Sequence, residues 1–411
     1  MNLQDQSYTI QGLQPEEIVS EFGTPLYVYD SSVIRQQVAK FQKAFAAIDH
    51  KVKYAAKALT NINILKLMQR EGLGLDTVSL QEIKMGLQAG FAPQDIVFTP
   101  NCVDFSEIEE AVEIGTVINI DNLSNLEKFA KKYGSSVPCF IRLNPFIVAD
   151  SQSEKVAHWH SQSKFGVAVS QLDQAHQLVE DYGLHIYGIH IHSSSVIMNP
   201  EIFQKGAEAV FEMAKQFKDL QYIDFGGGIK VPYAPDDQTI DIFQMGERLH
   251  NVHQQFCREF GKPVQLWFEP GRFLVSDCGA LLVKAVVRKD NGDRDFVGVD
   301  SGFNHLIRPM MYGAHHEIVN LSNPFGPRKE YTIVGNICEI DNFAVNRSMP
   351  EVKEGDLLAI LNAGAYGYSM ASTYNSRFRP AEVLVHEGKA HLIRQRDTYE
   401  DLMRNQMEIN L

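Results

Sequence analysis

From about residue 50 to residue 270, short β-branched runs alternate with amphipathic stretches. The runs are VKYAAK (52–57), LGLDTV (73–78), DIVFTP (95–100), TVINID (116–121), PCFIRLN (138–144), IYGIHIHS (186–193), LQYIDFG (220–226) and VQLWFE (264–269). Between most of them lie stretches such as LQEIKMGLQAG and AEAVFEMAKQF, whose apolar residues recur at three and four positions, the period of a helix face. Strands that are apolar almost throughout, each followed by a helix, predict a parallel sheet covered by helices. Eight such repeats in about 220 residues predict a closed (β/α)8 barrel, with an open doubly wound sheet as the alternative. The acidic run EIEEAVEI reads as the solvated face of one of the helices.

After residue 274 the texture changes. Strand-like runs (ALLVKAVV, DFVGVD, EYTIVGNICEI, DLLAILNAG, EVLVHEGKAHLI) are separated by Gly, Asn, Asp and Pro, with hardly any long helical pattern before the last residues. This predicts a second, all-β domain, built as a barrel-like sheet or a sandwich. The early runs SYTIQG and PLYVYD have no helix joining them to a barrel repeat and are assigned to that domain. The expected organisation is therefore an α/β chain: a (β/α)8 barrel over 35–273, and a β domain made of 1–34 and 274–411.

Composition narrows the function classes. The chain has 411 residues, of which 44% are hydrophobic and 22% charged, and no apolar run reaches the about 18 residues of a membrane span. The N-terminus, MNLQDQSYTIQ, lacks the basic and apolar regions of a secretion signal, so a cytoplasmic location is expected. A formal charge of −13 repels phosphate backbones and argues against a nucleic-acid partner. The five cysteines are scattered and form no CxxC, which suggests neither a disulfide framework nor a zinc site. The histidine groups HWH (158–160), HNVH (250–253) and HH (315–316) lack carboxylate or thiolate partners at ligand spacing, so no metal is expected.

In a parallel barrel the chemistry gathers at the carboxyl ends of the strands. Lys57 ends the first run, Asp76 lies near the end of the second, Asn101 follows the third and Arg142 ends the fifth. His190 and His192 end the sixth, Gly226 to Gly228 follow the seventh, and Glu269 and Arg272 follow the eighth. Lys57 is either a surfacing solvated lysine or, partly buried, a nucleophile towards carbonyl compounds. The three glycines are either a tight turn or a bare backbone loop closing on a phosphate. A carbonyl-capturing lysine and a phosphate loop together suggest pyridoxal 5'-phosphate, whose ring is an electron sink only when its nitrogen is protonated. Glu269 can hold that proton, with Pro270 and Gly271 turning the chain to aim it. His192 is either a satisfied core histidine or a group stacked on the ring.

The segments YAAKA, GLDTVS, RLNP, SKFG, HIHSSS, DFGGG, EPGR, RPMMYGAHH, NICE and GAYGYSMASTYNSRFRPAEVLV, in order from about residue 24 to 385, resemble the diaminopimelate decarboxylases, within the pyridoxal-phosphate-dependent decarboxylases of the alanine racemase-like fold. That resemblance implies that Lys57 bonds the cofactor, Asp76 stands behind it, Glu269 pairs the ring nitrogen and His192 stacks on the ring. It implies that Ser195, Gly227, Gly228 and Tyr366 hold the phosphate. Arg272, Arg308 and Tyr312 match positions that grip the substrate's distal carboxylate, Glu339 matches the acid facing its distal amine, and Tyr366 borders the substrate as well. Cys338 in NICE, which by itself reads as a buried thiol, matches the residue associated with protonating the α-carbon from the partner subunit. Two departures stand out. HSSSV (192–196) replaces the usual HIGSQ beside the phosphate, and CEIDN (338–342) replaces CESGD.

The implied activity is removal of CO2 from meso-2,6-diaminopimelate to give L-lysine, by a homodimer with shared active sites that include Cys338 and Tyr374. The alternatives are a related decarboxylase of ornithine, arginine or carboxynorspermidine, and a non-catalytic pyridoxal-phosphate carrier.

Overall fold

The computed structural model describes residues 1–4, 7–144, 163–192 and 200–411. Its contacts divide the chain into two compact units, one of residues 38–231 and 238–271, the other of residues 1–37, 232–237 and 272–411.

The first unit is a closed parallel barrel. Its strands are β1 (His50–Ala55), β2 (Gly74–Thr77), β3 (Ile96–Phe98), β4 (Val117–Ile120), β5 (Cys139–Asn144), β6 (Ile186–Ile191), β7 (Tyr222–Asp224) and β8 (Gln265–Phe268). Each pairs in parallel with the next, and β8 closes on β1 through Leu266 opposite His50. A two-residue strand, Val167–Ala168, also lies beside the end of β5. All eight runs read from the sequence are strands here, shortened by a residue or two at most of their ends because the chain leaves the sheet where polar residues begin. The intervening helices start and stop on local chemistry. Leu80–Ala89 is capped by Ser79, whose side chain accepts from the Glu82 amide, and ends on Gly90 in the left-handed region. Phe105–Ile114, which carries the acidic run, is capped by Asp104 and buries Ile108 and Ala111.

The barrel floor is filled by complementary large and small side chains. Val97, Phe140 and Trp267 form its buried apolar centre, with Val117, Tyr187 and Tyr222 packed against them. The Phe140 and Trp267 rings are stacked at 4.9 Å between centroids. Gly188 makes room for this: a Cβ there would lie 2.4 Å from the Phe140 ring. Lys53 enters the same floor with no side-chain exposure, its Nζ donating to the Asp95 carbonyl at 2.9 Å.

The second unit is mostly sheet, in the order Asn342–Pro350, Arg328–Val334, Asp295–Val299, Gly279–Asp290, Leu26–Asp30, Ala381–His386 and Lys389–Arg394. Leu357–Ile360 also pairs with Gly279–Asp290, and Ile318–Asn320 pairs with Leu357–Ile360. The early run PLYVYD is thus an interior strand, paired with Gly279–Asp290 on one side and Ala381–His386 on the other. Its alternate residues Leu26 and Val28 enter a core with Ala280, Leu282, Ala359 and Val383. Two features differ from the sequence pattern. Pro15–Phe22 is a helix in this unit, and EYTIVGNICEI is a strand only as far as Val334, so Cys338 lies in a loop.

Candidate active site

Residues two apart on a strand share one side of the sheet, and in this barrel that step crosses from an apolar floor to a polar rim. Val97 is followed by Thr99, Val117 by Asn119, Phe140 by Arg142, Gly188 by His190, Tyr222 by Asp224 and Trp267 by Glu269. Asp76, Thr99, Asn119, His190, Asp224 and Glu269 are all buried. Such a ring of desolvated polar groups is costly unless something pairs it.

Part of the pairing is internal. Lys57, in the turn Ala56–Ala58 that follows β1, donates from Nζ to Asp76 Oδ2 at 2.5 Å. Asp76 is buried, whereas the lysine keeps 40% of its side-chain exposure, so its amine remains within reach of a ligand. Asn101 donates to Asp121. The Asn119 amide donates to Thr99 Oγ1 at 3.1 Å and meets His190 Nδ1 at 2.6 Å. On its other side, His190 Nε2 stands 3.4 Å from Oε2 of Glu269, which follows β8.

The electrostatics follow from burial. Desolvation, with Arg142 and His192 nearby, holds His190 well below the usual imidazole range, so the ring is neutral. Desolvation, then Asp224 and Asp76, pushes the Glu269 carboxyl well above its usual range, against the pull of Lys57 and Arg142. Asp224 rises to about 7, chiefly by burial. A carboxylate at position 269 is therefore disfavoured until a cation faces it. Its Oε1 is buried and meets no donor among the described residues.

The glycines after β7 form a bare ledge beside this acid. A Cβ on Gly226 would lie 2.5 Å from His192 Nδ1, and one on Gly227 would lie 2.5 Å from the Glu269 carbonyl oxygen. Gly228 has φ of +101°, a conformation side chains rarely adopt. The Gly227 amide donates to His192 Nδ1 at 3.3 Å. His190, His192 and Glu269 also form a group of donor atoms, all within 4.8 Å of one another, that could hold a metal ion. None of the histidine groups singled out in the sequence takes part. In those groups His253 bonds the Val264 carbonyl and His316 the Leu361 carbonyl, while 158–160 lie outside the described residues.

In the second unit, four of the singled-out residues gather around a tyrosine that the sequence did not flag. The guanidinium carbons of Arg308 and Arg272 lie 5.0 and 5.9 Å from the centre of the Tyr233 ring. Arg272 also lies 5.8 Å from the Tyr366 ring, and Arg308 lies 5.9 Å from that of Tyr312, one helical turn along Arg308–Tyr312. Tyr366 has φ of +58°, in the left-handed region. Arg308 is buried, and the Nε atoms of both arginines are buried without an acceptor among the described residues. Neither arginine is within ion-pair distance of a described carboxylate. Two like charges sharing one aromatic cluster, with N–H groups out of water, make a site complementary to an anion.

A second group in the same unit is exposed. The Cys338 amide donates to Asn375 Oδ1 at 2.9 Å, and Asn375 Nδ2 lies 3.1 Å from the Cys338 sulfur. The Tyr374 hydroxyl donates to Glu339 Oε1 at 3.2 Å and lies 3.8 Å from that sulfur. These contacts with Cys338 and Glu339 raise the Tyr374 phenol to about 12, which keeps it protonated. Cys338 is thus exposed rather than the buried thiol its sequence context suggests. Ser195 lies outside the described residues.

Asn119, Thr99, Asp224 and Tyr233 had no role in the sequence reading. The signal for the first three was present as position: each sits two residues beyond a floor residue. Tyr233 carries no such mark.

Residues 31–276 match the family model for the pyridoxal binding domain of pyridoxal-dependent decarboxylases. The chain is 38% identical over 408 residues to the diaminopimelate decarboxylase of Methanothermobacter thermautotrophicus, spanning 97% of this chain and 95% of the relative. It is 34% identical over 414 residues to that of Bacillus subtilis, spanning 96% and 94%. The crystal structure of diaminopimelate decarboxylase from M. jannaschii in co-complex with L-lysine superposes with a TM-score of 0.92 at 30% identity, over 99% of this chain and 98% of that one.

Proposed function

The chain belongs to the diaminopimelate decarboxylases, within the pyridoxal-dependent decarboxylase family, and from that premise we propose that it converts meso-2,6-diaminopimelate to L-lysine and CO2. The cofactor is pyridoxal 5'-phosphate, and the barrel residues fit it: Glu269 Oε1 is an acceptor with no partner among the described residues, and Gly226 and Gly227 leave no room for a Cβ. When bound, the cofactor supplies an electron sink for the pair left behind as CO2 departs.

In this reading the Lys57 amine holds the cofactor's aldehyde carbon, oriented by Asp76. Glu269 keeps a proton on the ring nitrogen, since a buried carboxylate is stabilised by a cation that faces it. His192 covers the ring, and the Gly227 and Gly228 amides, with Ser195 and Tyr366, hold the phosphate. Arg272, Arg308 and Tyr312 bind the distal carboxylate, Glu339 meets the distal amine, and Cys338 returns a proton to the α-carbon.

The observation that carries the choice of substrate is the pair of buried Nε atoms on Arg272 and Arg308 that meet no acceptor among the described residues. A substrate with one carboxylate loses it as CO2 and offers nothing to that pair; a substrate with two keeps one for it. The test is CO2 release compared across meso-diaminopimelate, ornithine, arginine and carboxynorspermidine. Preference for any of the last three sinks the reading of the arginines, and absence of turnover with cofactor bound favours a carrier.

A homodimer in which each chain lends Cys338 and Tyr374 to its partner's site belongs to the same proposal. Support comes from the exposure of apolar side chains in these loops, 83% for Ile340 and 39% for Phe378, which an interface would cover. The free cysteines suit a reducing, cytoplasmic location, and no described helix is long and apolar enough to cross a membrane.

A further inference from the structure

His190 is not among the groups given a role above, yet it occupies the centre of the buried rim. Its side chain is 1% exposed and lies between Asn119 on β4 and Glu269 beyond β8, on alternate strands of the barrel. The charged and titratable groups around it are Arg142 from β5, His192 beyond β6, Lys57 beyond β1, and the Glu269 and Asp224 carboxyls, with Asp76 acting on both carboxyls.

The position of its single proton follows from the neighbours. Both N–H groups of the Asn119 amide are directed to acceptors, one to Thr99 Oγ1 and one to His190 Nδ1. With the amide nitrogen turned to the ring, and Asn119 Oδ1 left buried without a donor among the described residues, Nδ1 is the acceptor and the imidazole proton falls on Nε2. Nε2 is buried with no hydrogen-bond partner among the described residues, and the acceptor it faces is Glu269 Oε2 at 3.4 Å. Oε2 is then the oxygen turned to the imidazole, and Oε1, which meets no donor among the described residues, is left to exchange a proton with a ligand.

We propose that His190, locked in its Nε2–H tautomer by Asn119 and Thr99, is a positioning residue that assigns the two Glu269 oxygens their separate tasks, Oε2 as a fixed acceptor and Oε1 as the partner of the cofactor's ring nitrogen. This rests on the reading of Glu269 given above. The arrangement matters because a carboxyl with two equivalent oxygens can turn either towards the ligand or away from it. A neutral donor on one oxygen removes that freedom without adding a charge to the rim.

The tautomer can be observed directly in the full-length protein without cofactor, by long-range proton–nitrogen NMR on histidine labelled with nitrogen-15, with the His190 signals identified by their loss in His190→Gln. A bare Nδ1 and a protonated Nε2 are expected, unchanged across the neutral pH range. A protonated Nδ1 overturns the proposal whether or not any variant folds. In the loaded enzyme, His190→Phe keeps a ring but no donor, and His190→Gln keeps a donor. Removing a hydrogen bond to a charged group costs about tenfold or more, so kcat of His190→Phe is expected to fall by that factor with KM within about twofold. The pH dependence of the cofactor's visible absorption is expected to shift, with His190→Gln close to wild type in both. Asn119→Asp, which draws the proton to Nδ1, is expected to behave like His190→Phe. Wild-type kcat and absorption in His190→Phe overturn this proposal alone, whereas wild-type protein that takes up no cofactor overturns the reading of Glu269 on which it rests.

Discussion

The Lys53 ammonium lies over Trp267, its nitrogen 4.6 Å from the ring centre, in a barrel floor that leaves the lysine no exposed side chain. Gly74 is what admits it, since a Cβ there would lie 2.4 Å from Lys53 Cδ. Burial lowers its pKa from 10.5 to about 8, and Asp95 offsets only part of that. Below pH 8 the amine is protonated in both folded and unfolded chains, and the fold bears the full cost of burying the charge. Between about 8 and 10.5 the unfolded chain binds a proton that the folded one does not, so this group's contribution to stability improves as pH rises.

Lys53→Met therefore stabilises the protein at neutral pH, by up to roughly 3 kcal/mol from the gap between the two values, and the advantage shrinks towards pH 10.5. Urea unfolding of both proteins across this range measures it. A difference that stays constant with pH would show that the lysine is not titrating in the floor.

Arg308→Ala removes one of the two guanidiniums around Tyr233. The expected outcome is a rise in KM for diaminopimelate of about 10- to 100-fold, the size of a lost hydrogen bond to a charged group. Turnover of substrates with one carboxylate should change little. Steady-state kinetics on both substrate types decide the matter, and full retention of diaminopimelate activity would count against the anion site.

Asp76→Asn keeps the shape of the group that meets Lys57 Nζ but removes its charge. Capture of the cofactor by the lysine is expected to slow, and kcat to fall by roughly 10-fold or more. The first is followed by visible absorption after mixing the cofactor with the apoprotein. The second is measured at saturating cofactor. Lys57→Ala, run beside it, should gain no cofactor mass at that position after borohydride treatment.

Mixing Lys57→Ala chains with Cys338→Ala chains tests the shared site. If each site draws Lys57 from one chain and Cys338 from the other, every mixed dimer holds one intact site, and random assortment restores about a quarter of wild-type activity. If both residues come from one chain, verified mixed dimers stay as inactive as their parents.

Much of the barrel is legible along the chain because each strand announces itself as an apolar run closed by a polar residue, and Lys57, Asp76 and Glu269 sit at those ends. What the sequence conceals depends on closure. Asn119 meets His190 because β4 and β6 both flank β5 and the curvature of the barrel turns their inner side chains together, and no local pattern marks two strands that never pair. Tyr233 is hidden for another reason. It follows the barrel's glycine ledge in sequence but folds with the second unit, where its hydroxyl meets Ser276 Oγ at 2.6 Å. The loop carrying Cys338 reads as the continuation of the strand before it, yet Ile340 is exposed and the cysteine is held by Asn375, whose side chain accepts from the Cys338 amide and lies 3.1 Å from its sulfur.

The Nε–H groups of Arg272 and Arg308, with no acceptor among the described residues, make the folded chain incomplete in thermodynamic terms. Whatever anion satisfies them stabilises the native state by linkage, so a dicarboxylate should raise the melting temperature in proportion to the logarithm of its concentration, while its monocarboxylate counterpart should not. Recognition of the second carboxylate would then be visible as heat resistance, in a cuvette that contains no turnover at all.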